Sequence, residues 1–393
     1  MSAQPESPAP VTIVVVDDSA TQRRFIRAAV ALDPMLEVVG EARTGRDAVQ
    51  LVERLKPTAV LMDLHLPVMN GIEAIERIMA TRPTPIVVYS SFVDGVDRQN
   101  AASAYAAGAV DVMAKPGPDD SGRLEEYADA LRQRLRVAGR VRVITHPRGK
   151  LGMQGASLTT LRLGASSNPA KERREAKVQR HAAPTETRVN CEQFNNRQVD
   201  VLAIGASTGG PQALATILAD LPTATSTAIV VVQHMADGFM EGLAAWLDDI
   251  CPLPVVLGEH GKRMAPGTVT VAPSGRNLIV HDRLRLTTED PSPGQYHVPG
   301  VDATFCSVAD AYRSTAVGVL LTGMGRDGAI GMKRLRDEGA LTIGQDESTS
   351  AVYGMPAAAM LADAVDVQLP LPEISEALSH LLRPTPTSLD GVS

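Results

Sequence analysis

Aromatic side chains make up 3% of the 393 residues, and the three cysteines, Cys191, Cys251 and Cys306, lie far apart. So few rings leave no stacking platform of the kind that single-stranded nucleic-acid binders use. Without a Cys-x-x-Cys pair, neither a disulfide framework nor a zinc site is expected. No apolar run reaches the roughly 20 residues that a bilayer-spanning helix needs, so no direct membrane insertion is expected. The opening MSAQPESPAP has neither the basic start nor the apolar centre of a signal peptide, which places the chain in the cytoplasm. Positive charge is not in excess either. The formal net charge of −7 argues against a general affinity for DNA or anionic lipid. No helix–turn–helix with a basic recognition face stands out in the C-terminal half, and no nucleic-acid partner is expected.

What is present falls into three regions. From Val11 to about residue 138, short apolar runs (VTIVVVDD, LEVVGEA, PTAVLMD, TPIVVYSS, AVDVMAKP) alternate with helix-length amphipathic stretches. That alternation predicts a doubly wound parallel sheet with helices on both faces. Residues 139–197 break the rhythm. Between 141 and 197, 11 Lys and Arg stand against 4 Asp and Glu, and no apolar periodicity is sustained. This composition reads as a flexible basic linker, with a basic docking segment as the alternative. From residue 198 to about 385 the α/β rhythm returns, interrupted by a β-rich interlude with GTVTVAP and the hairpin-like NLIVHDRLRLTTE. The tail over 386–393 is read as disordered.

In open α/β sheets, ligands bind beyond the carboxyl ends of the strands. In the first region those ends deliver Asp17 and Asp18, Asp63, Ser90 and Lys115. Any one of the aspartates could be a helix N-cap. Three carboxylates brought together require a hard cation, and Mg²⁺ suits an all-oxygen site. An ammonium and a hydroxyl beside them suit a phosphoryl group. VVDDS, MDLHLPVMNG, YSS and AKP resemble the receiver domain of bacterial response regulators, a flavodoxin-like five-stranded parallel sheet. The resemblance implies that Asp63 accepts a phosphoryl group from a histidine kinase. It further implies that Asp17, Asp18, Asp63 and the His65 backbone carbonyl hold Mg²⁺, that Ser90 and Lys115 contact the phosphoryl oxygens, and that a cis peptide precedes Pro116. Val112 stands where many receivers carry an aromatic switch residue, a departure that leaves the route of coupling to another surface open.

The C-terminal region poses the same question at Val201–Leu214, VLAIGASTGGPQAL, where Ser207 sits between a strand and a helix among small residues. Later strands deliver His234 and Asp327 at their own carboxyl ends. A serine hydroxyl needs an adjacent base, and the base needs an orienting acid. Ser207, His234 and Asp327 can fill those roles, and chain order does not decide the matter. Taken alone, each has a plainer reading: a phosphate loop for the Ser207 turn, a structural histidine, a loop cap. The Ser207 turn carries no Gly-Lys-Ser/Thr, which weakens the phosphate-loop reading. His260, His281 and His297 are read as structural histidines.

IGASTGGPQAL, VVVQHM, GTVTVAP, VDATFCSVA and LLTGMGRDGAIGM together resemble the effector domain of the CheB family of chemotaxis methylesterases. The resemblance implies a doubly wound, mostly parallel α/β domain with a β-hairpin. It casts Ser207 as nucleophile, His234 as general base and Asp327 as its orienter, with Thr208 as an active-site neighbour and the Met324 amide as an oxyanion donor. The implied reaction hydrolyses glutamyl methyl esters on the cytoplasmic helices of chemoreceptors, releasing methanol, and deamidates certain glutamines. The hydrolase chemistry implies no cofactor. Two departures are a linker longer than usual and Gly300 in place of a Ser or Ala. The alternative from another class is a non-catalytic phosphorelay effector whose second domain binds a partner or nucleotide.

Overall fold

The computed structural model describes residues 9–91, 102–117, 122–141, 197–235, 238–295 and 297–383. Almost all of the expected linker, and the whole of the expected tail, lie outside the described residues.

The valine- and isoleucine-rich runs of the first region form β1 (Val11–Val16), β2 (Leu36–Ala42), β3 (Ala59–Met62), β4 (Ile86–Ser90) and β5 (Asp111–Ala114). Branched side chains suit a pleat covered on both faces, and β3 and β4 are buried along their whole length. Between the strands run α1 (Ala20–Ala31), α2 (Gly45–Leu55), α3 (Gly71–Thr81) and α4 (102–107), and α5 (Leu124–Ala138) follows β5. Ser19, Thr44 and Asn70 start the first three helices by accepting the amides of Gln22, Asp47 and Glu73. All strand pairs are parallel, in the order β2-β1-β3-β4-β5. The order reverses at β1, and a crevice opens there between the ends of β1 and β3.

The second region forms β6 (Val201–Ala206), α6 (Gly210–Ala219), β7 (Ala228–Gln233), α7 (Met240–Ile250), β8 (Val255–Leu257) and β9 (Val269–Val271). The antiparallel hairpin β10 (Asn277–Val280) and β11 (Leu286–Glu289) stands apart as its own two-stranded sheet. The chain continues through α8 (Val301–Tyr312), β12 (Ala316–Leu320), α9 (Ala329–Asp337), β13 (Leu341–Gln345), α10 (Met355–Leu361), β14 (Val367–Leu369) and α11 (Leu371–Leu381). Seven strands pair in parallel in the order β14-β13-β12-β6-β7-β9-β8. The GTVTVAP run thus joins the main sheet as β9 instead of forming part of a separate β-rich interlude. From β6 the chain winds outward through β7 on one side and returns at β12 on the other. The switch point therefore lies between β6 and β12, with Ser207 at its mouth.

The two regions touch. Tyr105 on α4 stacks on Trp246 of α7 with ring centroids 6.4 Å apart, and Gln212 of α6 donates to the Tyr105 carbonyl. Gln133 on α5 reaches the Met324 sulfur at 3.3 Å.

Gly205, within β6 against α8, has no room for a side chain: a Cβ there would lie 2.4 Å from Val301 Cγ1 and 3.1 Å from Phe305 Cζ. Both neighbours are fully buried, so neither can swing away. Gly205→Ala should destabilise the C-terminal region by about 1–3 kcal/mol, read as a lower urea midpoint with an unchanged slope. An unaltered midpoint would show that α8 can yield.

Candidate active site

The N-terminal crevice gathers the predicted residues. Asp17, Asp63 and Ser90 are buried and Asp18 is exposed. One carboxylate oxygen from each of Asp17, Asp18 and Asp63 lies within 4.8 Å of the others, a spacing that fits a hard divalent cation. Lys115 Nζ lies between two of them, 2.7 Å from Asp17 Oδ2 and 2.5 Å from Asp63 Oδ2. Ser90 Oγ donates to Asp63 Oδ1 at 2.8 Å and approaches His65 Nδ1 at 3.3 Å. Burial pushes the Asp17 carboxyl above its ordinary value, against the pull of the Lys115 ammonium. The Lys115–Pro116 peptide is not cis, as the resemblance implied; the cis bond among the described residues is Val298–Pro299. Trans is the favoured state of an X–Pro bond by ~0.5–1 kcal/mol.

At the second switch point, the mouths of β6, β7 and β12 converge. Ser207 is 7% exposed, and its amide donates to Thr322 O at 3.0 Å, tying the β6 turn to the end of β12. This approach requires glycine at position 323, where a Cβ would lie 2.7 Å from that of Ser207. His234 is held from β7 by its own amide, which donates to Ala206 O at 3.0 Å. Between the two turns lies Gln233, 2% exposed, whose Nε2 donates to Ser207 O and to His234 O, each at 2.8 Å. This clamp was not singled out in the sequence, where Gln233 was only one letter of VVVQHM.

The imidazole meets its acid directly, with His234 Nε2 2.7 Å from Asp327 Oδ2. The other ring nitrogen, Nδ1, is buried without a hydrogen-bond partner. It is the nitrogen left to serve the Ser207 hydroxyl, which itself makes no hydrogen bond among the described residues. Catalytic hydrogen bonds are commonly open before substrate arrives. Asp327 also accepts from three amides: Val301 at 2.8 Å, Asp302 at 2.9 Å and Gly328 at 3.0 Å. Burial raises this carboxyl, but the His234 bond and charge with the amides of Asp302 and Val301 prevail and hold it at about 2. Among the described residues, the Thr208 and Met324 amides donate to no protein acceptor. They remain open as donors, as a developing oxyanion needs.

Two further residues at this site were given no role in the sequence reading. Asp302, the acid of VDATF, lies beside Asp327 at the start of α8 and accepts the Gly331 amide at 2.7 Å. Burial, followed by the charge and hydrogen bond of Asp327, pushes it up to about 6. His297, read as a structural histidine, stacks on His234 instead, whereas His260 and His281 bond to Thr288 and Thr287 of the hairpin as that reading expected. A fold-level contact between residues 63 positions apart leaves no local signal to find.

A carboxylate–lysine pocket and a serine–histidine–aspartate cluster, each at the carboxyl edge of its own parallel sheet, define a two-domain α/β protein that joins a receiver to a hydrolase. The response regulator receiver domain model matches residues 13–127, and the CheB methylesterase model matches residues 202–378. The chain is 39% identical over 376 residues to protein-glutamate methylesterase/protein-glutamine glutaminase 2 of Anaeromyxobacter dehalogenans, covering 95% of this chain and 98% of that one. It is 37% identical over 372 residues to form 4 from Geobacter metallireducens, covering 94% of this chain and 99% of that one. The crystal structure of the Thermotoga maritima CheB methylesterase catalytic domain is 35% identical, covering 47% of this chain and 98% of that one, with a TM-score of 0.45. The chain belongs to the CheB methylesterase family.

The raised Asp302 carboxyl has a consequence for stability. In the unfolded chain it ionises near the ordinary 3.8, and in the folded chain near 6. Folding therefore favours the protonated form, and ionised Asp302 costs stability that grows as pH rises from about 4 to about 6. Asp302→Asn removes that cost while keeping an oxygen for the Gly331 amide. The variant should melt higher than wild type at about pH 7.5 and at the same temperature near pH 4. A lower melting point at pH 7.5 would contradict the assignment.

Proposed function

We propose that this chain is a serine hydrolase that demethylates glutamyl methyl esters on chemoreceptors and deamidates certain of their glutamines, in adaptation of a chemotaxis pathway. The observation that carries the proposal is the His234 imidazole, bound through Nε2 to Asp327 with Nδ1 free at the mouth that holds Ser207. The names of the relatives, methylesterase and glutaminase, supply the substrate class. We assign 11–138 to the receiver, 139–197 to a flexible linker, 198–385 to the catalytic domain and 386–393 to a tail, in a cytoplasmic protein.

In this mechanism Ser207 Oγ attacks the side-chain carbonyl of the methylated glutamate as its proton passes to His234 Nδ1. Asp327, ionised far below neutral pH, stabilises the imidazolium through Nε2. The Met324 and Thr208 amides receive the charge that develops on the carbonyl oxygen. His234 returns the proton to the departing methanol. A water then attacks the acyl-serine, again deprotonated by His234, and leaves a glutamate carboxylate on the receptor helix. For a glutamine the same steps release ammonia. Each turnover adds negative charge to a receptor helix, where like charges alter packing.

A histidine kinase is the phosphodonor and Asp63 the acceptor. Asp17, Asp18, Asp63 and the His65 carbonyl would hold Mg²⁺, which supplies positive charge to the incoming phosphoryl oxygens. Ser90 and Lys115 contact the same oxygens, which requires Lys115 to leave Asp63 Oδ2. Before phosphorylation, α5 covers the catalytic mouth. Gln133 touches Met324, and a cleft of about 610 Å³, open to solvent, is lined by Gln133, His297, Asp302, Arg326 and Asp327 among others.

Methanol release from purified methylated receptor tests the proposal. Ser207→Ala should lower the rate by at least about 10³-fold. Asp63→Ala should abolish stimulation by a small phosphodonor. A Ser207→Ala variant that keeps its rate would reduce the second domain to a binding module. Equal rates with and without the phosphodonor, together with an isolated C-terminal region that is no faster, would refute occlusion.

A further inference from the structure

We propose that His297 is a positioning residue for His234, a second imidazole that holds the plane of the base. The inference rests on the functional reading above for what His234 does, and on the structure for how the two rings meet. Their centroids are 4.4 Å apart and their planes differ by 6°, a parallel, offset stack. An imidazole fixed only by its Nε2 bond to Asp327 can still swing about that bond and carry Nδ1 away from Ser207. A flat ring against its face removes this freedom.

His297 is itself well anchored. Its carbonyl accepts from Gln295 Nε2 at 2.8 Å, and the same nitrogen donates to Asn277 Oδ1 at 2.8 Å. Asn277 is buried at the start of the hairpin, and its Oδ1 also takes the Gly300 amide at 2.8 Å. The next two amides, Val301 and Asp302, are those that hold Asp327. One hydrogen-bonded frame therefore runs from the hairpin through the His297 carbonyl to the orienting acid, so the backbone that carries the stacked ring is held relative to the carboxylate. Both constrain His234.

The charged groups around His297 come from several elements: His234 after β7, Asp327 after β12, Asp302 on α8, Arg326 in the loop with Asp327, and Arg134 on α5. His297 is exposed on its outer side, and the partial desolvation of its ring against the site, then the neighbouring His234, keeps it below its ordinary protonation range.

The test uses the full chain with a small phosphodonor and compares His297→Ala with His297→Phe, which keeps a flat ring without a titrating nitrogen. Methanol release gives kcat and KM, and the order of the His234 ring is read by nitrogen-15 and carbon-13 NMR relaxation. His297→Ala should lower kcat by about 10–100-fold with KM within about twofold, as expected for a misplaced base. The His234 ring signals should also shift and broaden as the ring gains orientations. His297→Phe should recover most of kcat and the wild-type ring signals. An Ala variant that keeps both kcat and ring signals would overturn the proposal, and so would a Phe variant no better than Ala. If wild type releases no methanol, the functional reading fails, and the NMR alone then decides the stacking claim: unchanged His234 ring signals in His297→Ala contradict it.

Discussion

The carboxylate of Asp327 accepts four hydrogen bonds, three from backbone amides and one from His234 Nε2. The amides come from two helix starts at the scaffold that closes the switch between β6 and β12. Val301 and Asp302 open α8, and Gly328 opens α9. Burying a carboxylate is costly unless its lone pairs are filled, and here they are. The consequence is an acid held ionised at about 2, in a place where it can fix an imidazole without competing for the proton. Remove that anchoring and the histidine loses its orientation, the serine its base, and the loop after β12 its reason to turn toward Ser207.

Both domains use the same geometric device. A parallel sheet that reverses its strand order opens a crevice at one edge, and polar residues placed just past the strands meet there without distorting the core. In the receiver the crevice collects like charges, and Lys115 neutralises two of them through close contacts. In the catalytic domain it collects a serine, a histidine and an aspartate. The two domains meet where Gln133 on α5 touches Met324 and where Tyr105 stacks on Trp246. The stack is of interest because Val112 is fully buried and offers no aromatic to rotate.

Much of this was legible in the residues. Runs of valine and isoleucine bounded by helix caps announced the strands, and every strand-end polar residue read from them is found at its crevice. The hairpin around His281 was visible from alternation. The three-residue strands β8 and β14 were not, since so short a run carries no period. The role of GTVTVAP depended on pairing with β7, a long-range choice that local pattern does not encode. At the site, Ser207, His234 and Asp327 stood out because their chemistry is scarce at strand ends. Gln233, His297 and Asp302 did not, because each acts through contacts with residues distant in sequence. Their side-chain types alone are equally common in ordinary cores and loops.

The account turns on which imidazole nitrogen carries the proton. Asp327 sits on Nε2, so the neutral His234 must be the Nε2–H tautomer with Nδ1 as the open base. Nitrogen-15 NMR of the histidine rings in the resting full-length chain, near neutral pH, reports this directly. The account predicts a proton on Nε2 and an unprotonated Nδ1. A proton on Nδ1, with Nε2 bare beside the Asp327 carboxylate, would contradict it.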